Sequence, residues 1–174
     1  MEATALTGEI DICYFDESGF NLNPNLPYAW NEIATTLSIP AKMSKNLNVL
    51  GFLNKNKSTL FASTTTDKVN SEVVIAHFNL FVEEITKPTV AVVDNASIHT
   101  SKKFRDMLPL WEEKNLTIFY LPPYSPELNP IEMVWKFMKY YWIELDAYKS
   151  TVEMKKYVEK VIIGYGTDYE INFT

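Results

Sequence analysis

Three carboxylates, Asp16, Asp94 and Glu132, stand where acidic oxygens could do chemistry. Asp16 follows a β-prone run at residues 10–15, and Asp94 follows the short apolar run Thr89–Val93. Glu132 lies in the first turn of a helical segment that follows a proline-rich loop. Open α/β sheets bind ligands beyond the carboxyl ends of their strands. If the two strands are parallel neighbours, both aspartates meet at one sheet edge, and a helix folded back brings Glu132 to them. Converging carboxylates without histidine or cysteine suit Mg²⁺ or Mn²⁺ better than zinc. Two such ions about 4 Å apart activate a water and stabilise a leaving oxygen in phosphodiester displacement. Like charges this close repel unless a cation neutralises them. Each acid also has a plainer reading. An aspartate after a strand is commonly a turn residue, and Asn129-Pro130-Ile131-Glu132 has the pattern of a capping box.

The elements needed to position these acids are legible in outline. Residues 10–15 read as a strand bounded by Gly8 and by Asp16-Glu17-Ser18-Gly19. Residues 21–40 carry three prolines and read as loop, with a short extended piece at residues 28–30. Residues 47–53 and 58–65 are extended runs joined by Asn54-Lys55-Asn56-Lys57, a hairpin pattern. Apolar residues in 71–86 recur at helical spacing. Thr89–Val93 is continuously apolar, as expected of a strand covered on both faces. A helix over 102–114, a strand over 117–121, a helix over 130–148 and a last helix over 151–163 follow. Asn129 is the expected cap of the third helix, with proline at its first position. Gly164 and Gly166 should stop the fourth. Strand–helix alternation in the second half implies parallel pairing with right-handed crossovers, an α/β fold.

Composition bounds the remaining possibilities. The 174 residues suit one domain, and 47% hydrophobic and 22% charged residues describe a globular chain. One cysteine, Cys13, excludes a disulfide framework and a multi-thiolate zinc site, and it points to a reducing compartment. No apolar run approaches the roughly 20 residues of a membrane span. With 16 Lys+Arg against 22 Asp+Glu the net charge is -6. A self-sufficient DNA-binding domain is usually basic, because phosphate contacts supply its non-specific affinity. Charge therefore argues against such a domain, though not against an enzyme with an acidic cation site.

Three blocks sharpen the reading: Tyr14-Phe15-Asp16-Glu17-Ser18-Gly19-Phe20, Val93-Asp94-Asn95-Ala96-Ser97-Ile98-His99, and the run from Leu121-Pro122-Pro123-Tyr124-Ser125-Pro126 to Ile131-Glu132, followed by Trp135. In order and content they resemble the catalytic blocks of IS630/Tc1/mariner-type DDE transposases, most nearly the IS630 branch. The segment Leu47-Asn48-Val49-Leu50-Gly51-Phe52-Leu53 resembles that branch's central strand. The resemblance implies an RNase H-like fold, a mixed five-stranded sheet with helices on both faces. It implies that Asp16, Asp94 and Glu132 hold two Mg²⁺ or Mn²⁺ ions. It also implies hydrolysis of DNA at transposon ends, followed by transfer of the 3′-hydroxyl into target DNA at a TA dinucleotide. Asn95 and His99 match the block around the second acid, where they would support Asp94 or touch DNA. Tyr124 and Ser125 would order the loop or line the DNA path. Lys136 and Lys139 share the expected helix face of Glu132 and could hold phosphates, or form a solvated face with an ion pair. Glu17 is a spare acid whose side chain should diverge from that of Asp16. His77 and Cys13 read as structural.

Related transposases carry a basic helix-turn-helix region ahead of this domain. Here residues 1–8 read as the remnant of a linker, 9–166 as the catalytic domain and 167–174 as a tail. The DNA-binding half would then come from another chain, with a homodimer as one further assembly and the nucleoid-associated cytoplasm as the place of action. Two other classes compete: a non-catalytic, transposase-derived regulatory or dimerisation module, and an RNase H-like nuclease acting on RNA–DNA hybrids.

Overall fold

Extended runs and the helical spacing between them are realised as a five-stranded sheet clasped between two helical layers. The computed structural model describes residues 8–23, 46–123 and 125–173. Its elements are β1 (Asp11–Phe20), β2 (Leu47–Asn54), β3 (Thr59–Thr65), α1 (Ser71–Glu84), β4 (Thr89–Val93), α2 (Lys102–Glu112), β5 (Leu116–Tyr120), α3 (Ile131–Phe137) and α4 (Thr151–Gly164). The expected extended piece at residues 28–30, residues 1–7 of the expected linker, and Tyr124 lie outside the described residues.

The sheet order is β3-β2-β1-β4-β5. β1, β2 and β3 pair antiparallel, while β1–β4 and β4–β5 pair parallel, so the sheet is mixed. One face buries Cys13, Phe15, Leu50 and Phe52 against Phe78 and Phe81 of α1 and Phe104 and Trp111 of α2. The other buries Tyr14, Val49 and Leu53 against Ile131, Val134 and Trp135 of α3 and Met154, Val158 and Val161 of α4. Alternate residues of β1 thus feed opposite cores, as a pleated strand requires. Each buried aromatic contributes about 1.5–3 kcal/mol. The tightest aromatic contact, Phe52 stacked on Phe81 at 3.9 Å, pins α1 to the sheet. Cys13 is buried, and desolvation pushes its thiol up to about 12, which makes it inert as expected.

Three local expectations need correction. β1 does not stop before Asp16 but runs to Phe20, because β2 pairs with it from Tyr14↔Leu53 to Phe20↔Leu47. Asp-Glu-Ser-Gly is a turn pattern in isolation, and the antiparallel partner overrides it. The helix expected over 130–148 is interrupted. α3 ends at Phe137, a π-helical turn covers Met138–Trp142, Ile143 is extended, and a 3₁₀ turn spans Leu145–Lys149. Burial of Met138, Ile143, Ala147 and Tyr148 explains the break, since a continuous α-helix could not turn all four toward one core. Lastly, Asn129 does not cap α3 through its side chain. Its amide instead donates to the Phe15 carbonyl at 3.1 Å.

Past α4, Gly166 takes φ +87°, and a Cβ there would lie 2.3 Å from the Ser58 carbonyl oxygen. Only glycine fits this stop.

Candidate active site

The parallel register of β1 and β4 pairs Tyr14 with Val92. Continued by two residues, it brings Asp16 level with Asp94, which caps the carboxyl end of β4. α3 crosses the same sheet edge and presents Glu132 from its first turn. All three acids line one cavity of about 420 Å³, together with Asn95, Leu121, Pro122, Ser125 and Asn129. Two ties on either side of Glu132 hold α3 over β1. Asn129 donates to the Phe15 carbonyl, and the Trp135 indole N–H donates to Asp16 Oδ2 at 3.1 Å.

Electrostatics mark the three acids as crowded. Burial, helped by the charges of Glu17, Glu132 and Asp94, pushes the Asp16 carboxyl up to about 7, although a backbone N–H bond at Glu17 opposes it. Burial and the charge of Asp94 raise Glu132. Asp94 goes the other way. A hydrogen bond from His99 Nδ1 at 2.6 Å, with a second from the Ala96 N–H at 3.0 Å, holds it below the usual carboxylate value despite partial burial.

His99 is 1% exposed, so of its two expected roles the structure shows the contact with Asp94 and no face open to DNA. Burial alone would lower its pKa. Asp94 and Glu17 outweigh that and raise it to about 9, which makes it an imidazolium at neutral pH. Nε2 sits 3.5 Å from Glu17 Oε2, an ion contact and not a formed hydrogen bond, since neither atom has a hydrogen-bond partner. Tyr120 secures the backbone by donating to the His99 carbonyl at 2.9 Å. Glu17 thus diverges from Asp16, toward His99. Asn95 is exposed, yet its amide donates to the Leu121 carbonyl and ties the β4 and β5 exits together.

The remaining expected residues divide. Ser125 lines the cavity and its hydroxyl donates to the Pro123 carbonyl at 3.4 Å. Lys136 is exposed, and among the described residues no ion pair joins it to Glu132. Lys139 falls in the π-helical turn, half-buried, with Nζ 5.3 Å from the centre of the Phe20 ring. Burial lowers its ammonium pKa, and the charge of Asp16 counters that. His77 is structural, as expected. Its Nδ1 meets the Ser63 hydroxyl at 2.8 Å, and desolvation pulls it down to about 4. Sequence reasoning missed the roles of Trp135 and Asn129. The signal was their spacing from Glu132, three residues on either side, which sets Trp135 on the same helix face.

A hard divalent cation fits this donor set. The ligands on offer are carboxylate oxygens, and burial first and acidic neighbours second raise Asp16 and Glu132, a cost of carrying charge that a cation would relieve. Among the described residues, no three His, Cys, Asp or Glu side chains are already gathered into a cation cage. The acids share a cavity wall without closing on one point.

A mixed sheet ordered 3-2-1-4-5, flanked by helices on both faces and carrying acids at its central edge, is an RNase H-like fold. Residues 11–155 match the family of DDE superfamily endonucleases, and the chain belongs to it. A Mos1 transposase paired-end complex with its left transposon end superposes with a TM-score of 0.64 at 17% identity, over 96% of this chain and 52% of that one. The HTLV-2 integrase catalytic core domain in complex with magnesium gives 0.57 at 11% identity, over 88% of this chain and 83% of that one. These likenesses concern the fold. In sequence, an uncharacterized protein of Sinorhizobium fredii, y4pE/y4sA, is 40% identical over 61 residues, 35% of this chain and 41% of the relative. The chain thus spans about half the length of the Mos1 protein. Among the described residues no helix is long and apolar enough to cross a membrane.

Proposed function

We propose that this chain is the catalytic domain of a DDE transposase of the IS630/Tc1/mariner type, nearest the IS630 branch. The observation that carries the reading is one cavity lined by Asp16, Asp94 and Glu132, in which Asp16 is held near a pKa of about 7 by burial and its acidic neighbours. Asp16, Asp94 and Glu132 would hold two Mg²⁺ or Mn²⁺ ions. Bound there, the ions would supply activation of water and charge stabilisation at phosphorus.

The chain's own contribution is positional. β1 and β4 fix the two aspartates on neighbouring strands, and the Asn129 and Trp135 ties fix the helix that carries Glu132. His99 holds Asp94 in its ionised form. Lys136 and Lys139 offer ammonium groups to backbone phosphates beside the cavity, and Asn95 and Ser125 flank the DNA path, to which the family resemblance alone assigns Tyr124. The reaction is hydrolysis of a phosphodiester at the transposon end, which frees a 3′-hydroxyl. That hydroxyl then displaces a 3′-oxygen in target DNA, at a TA dinucleotide. Transposon ends and target DNA are the partners. A basic helix-turn-helix region would offset the net charge of -6, with the catalytic domain acting as a homodimer on nucleoid DNA in the cytoplasm.

The test is Mn²⁺-dependent nicking of duplex DNA carrying the terminal repeat. Wild type should nick and Asp94→Ala should not. Equal nicking by both would refute the proposal. The net charge of -6 favours one second reading, a regulatory module that pairs with full-length transposase. Inhibition of that enzyme that survives loss of all three acids would support it.

A further inference from the structure

Asp16 and Gly51 are cross-strand partners in β1 and β2, so their side-chain positions share one face of the sheet. Trp135 descends onto that face from α3. Its indole N–H reaches Asp16 Oδ2 at 3.1 Å, and its ring lies directly over Gly51. A Cβ on Gly51 would sit 2.8 Å from Trp135 Cη2 and 3.2 Å from Cζ2, which no packed structure tolerates without moving the ring. Trp135 is 4% exposed and belongs to the buried core cluster that holds Val49, Ile131, Val134 and Met138, so the indole has little room to give.

We propose that Trp135 is the positioning residue for Asp16, and that Gly51 is the vacancy that seats it. This rests on the reading of Asp16 as a cation ligand. An aspartate's terminal torsion is broad and roughly two-fold, so a carboxylate that is not held can present either oxygen at many angles. The indole is a donor only, and by taking Oδ2 it limits the angles at which the carboxylate meets the cavity it lines. Partners of this kind behind a metal ligand are worth about 10–100-fold in metal affinity. The bond also couples the first acid to the third, because Trp135 and Glu132 ride on the same helix. Gly51, on a strand that holds none of the three acids, thereby becomes part of the site.

The test is calorimetric titration of the full chain with Mn²⁺ alone. The wild type is compared with Trp135→Phe, with Gly51→Ala, and with a chain carrying benzothienylalanine at position 135, which keeps the indole shape and lacks the N–H. Asp16→Asn gives the background. The expected result is about 10–100-fold weaker Mn²⁺ binding by all three variants, with kcat for nicking lowered and KM for DNA unchanged. The benzothienyl chain keeps the packing, so its result stands even if the other two fold poorly. Mn²⁺ affinity of that chain within about two-fold of wild type would overturn the positioning role while leaving the cation site intact. Wild-type binding no stronger than that of Asp16→Asn would overturn the cation site itself, and the positioning role with it.

Discussion

Asp16→Asn should stabilise the cation-free protein, and the gain should grow with pH. The Asp16 carboxyl stands at about 7 in the folded chain against 3.8 unfolded, chiefly through burial. A raised carboxyl stabilises the fold fully below the unfolded value, and that stability is lost as pH rises through the folded one. At 1.36 kcal/mol per pKa unit, the loss totals about 4 kcal/mol, of which about 3 kcal/mol falls between pH 5 and 8.5. These are ceilings, because the site opens onto a wet cavity. Asparagine never ionises and still accepts the Trp135 N–H through its amide oxygen. The assay is urea unfolding in EDTA at pH 5 and pH 8.5, with wild type and variant side by side so that other titrations cancel. The variant's advantage should widen by up to about 3 kcal/mol at the higher pH. Saturating Mn²⁺ should then narrow it, because the cation stabilises only the folded wild type. An advantage that does not change with pH would refute the argument that burial and acidic neighbours hold the Asp16 carboxyl near 7.

Other consequences are as direct. His77 is held down at about 4, so the neutral ring is favoured on folding, and stability present above pH 6.5 is lost as pH falls toward 4. Replacing it with phenylalanine should remove up to about 3 kcal/mol of acid sensitivity, read as the difference in urea midpoints at pH 7 and 4.5. Asn129→Ala should cost about 1–3 kcal/mol by orphaning the buried Phe15 carbonyl, and it should slow nicking by loosening α3 over β1. Gly166→Ala should destabilise by about 1–3 kcal/mol through its left-handed backbone and the Ser58 carbonyl, seen as a lower melting temperature with unchanged Mn²⁺ affinity.

What the sequence disclosed depended on how local each signal was. β4 is continuously apolar and bounded by Pro88 and Asp94, so its limits could be read directly. The hairpin of β2 and β3 carried its own turn residues. β1 could not be bounded this way, because Asp16 to Phe20 are extended only by pairing with a strand far along the chain. The break after Phe137 has the same origin. Nothing in Met138-Lys139-Tyr140-Tyr141-Trp142 forbids an α-helix, and the π-helical turn answers a core that other elements build. At the site, the three acids stood out by their positions after strands and at a helix start. Their supports did not, because the Trp135–Asp16 and Asn129–Phe15 bonds join residues more than a hundred positions apart. His99 was legible as a companion of Asp94, whereas its reach to Glu17 required the fold.

The central claim, that Asp16, Asp94 and Glu132 serve a common divalent ion pair, is tested most directly by anomalous diffraction from crystals soaked in Mn²⁺. The account predicts one or two manganese peaks within about 2.3 Å of oxygens from all three side chains. Manganese bound by other residues, or no peak in this cavity at saturating Mn²⁺, would contradict it.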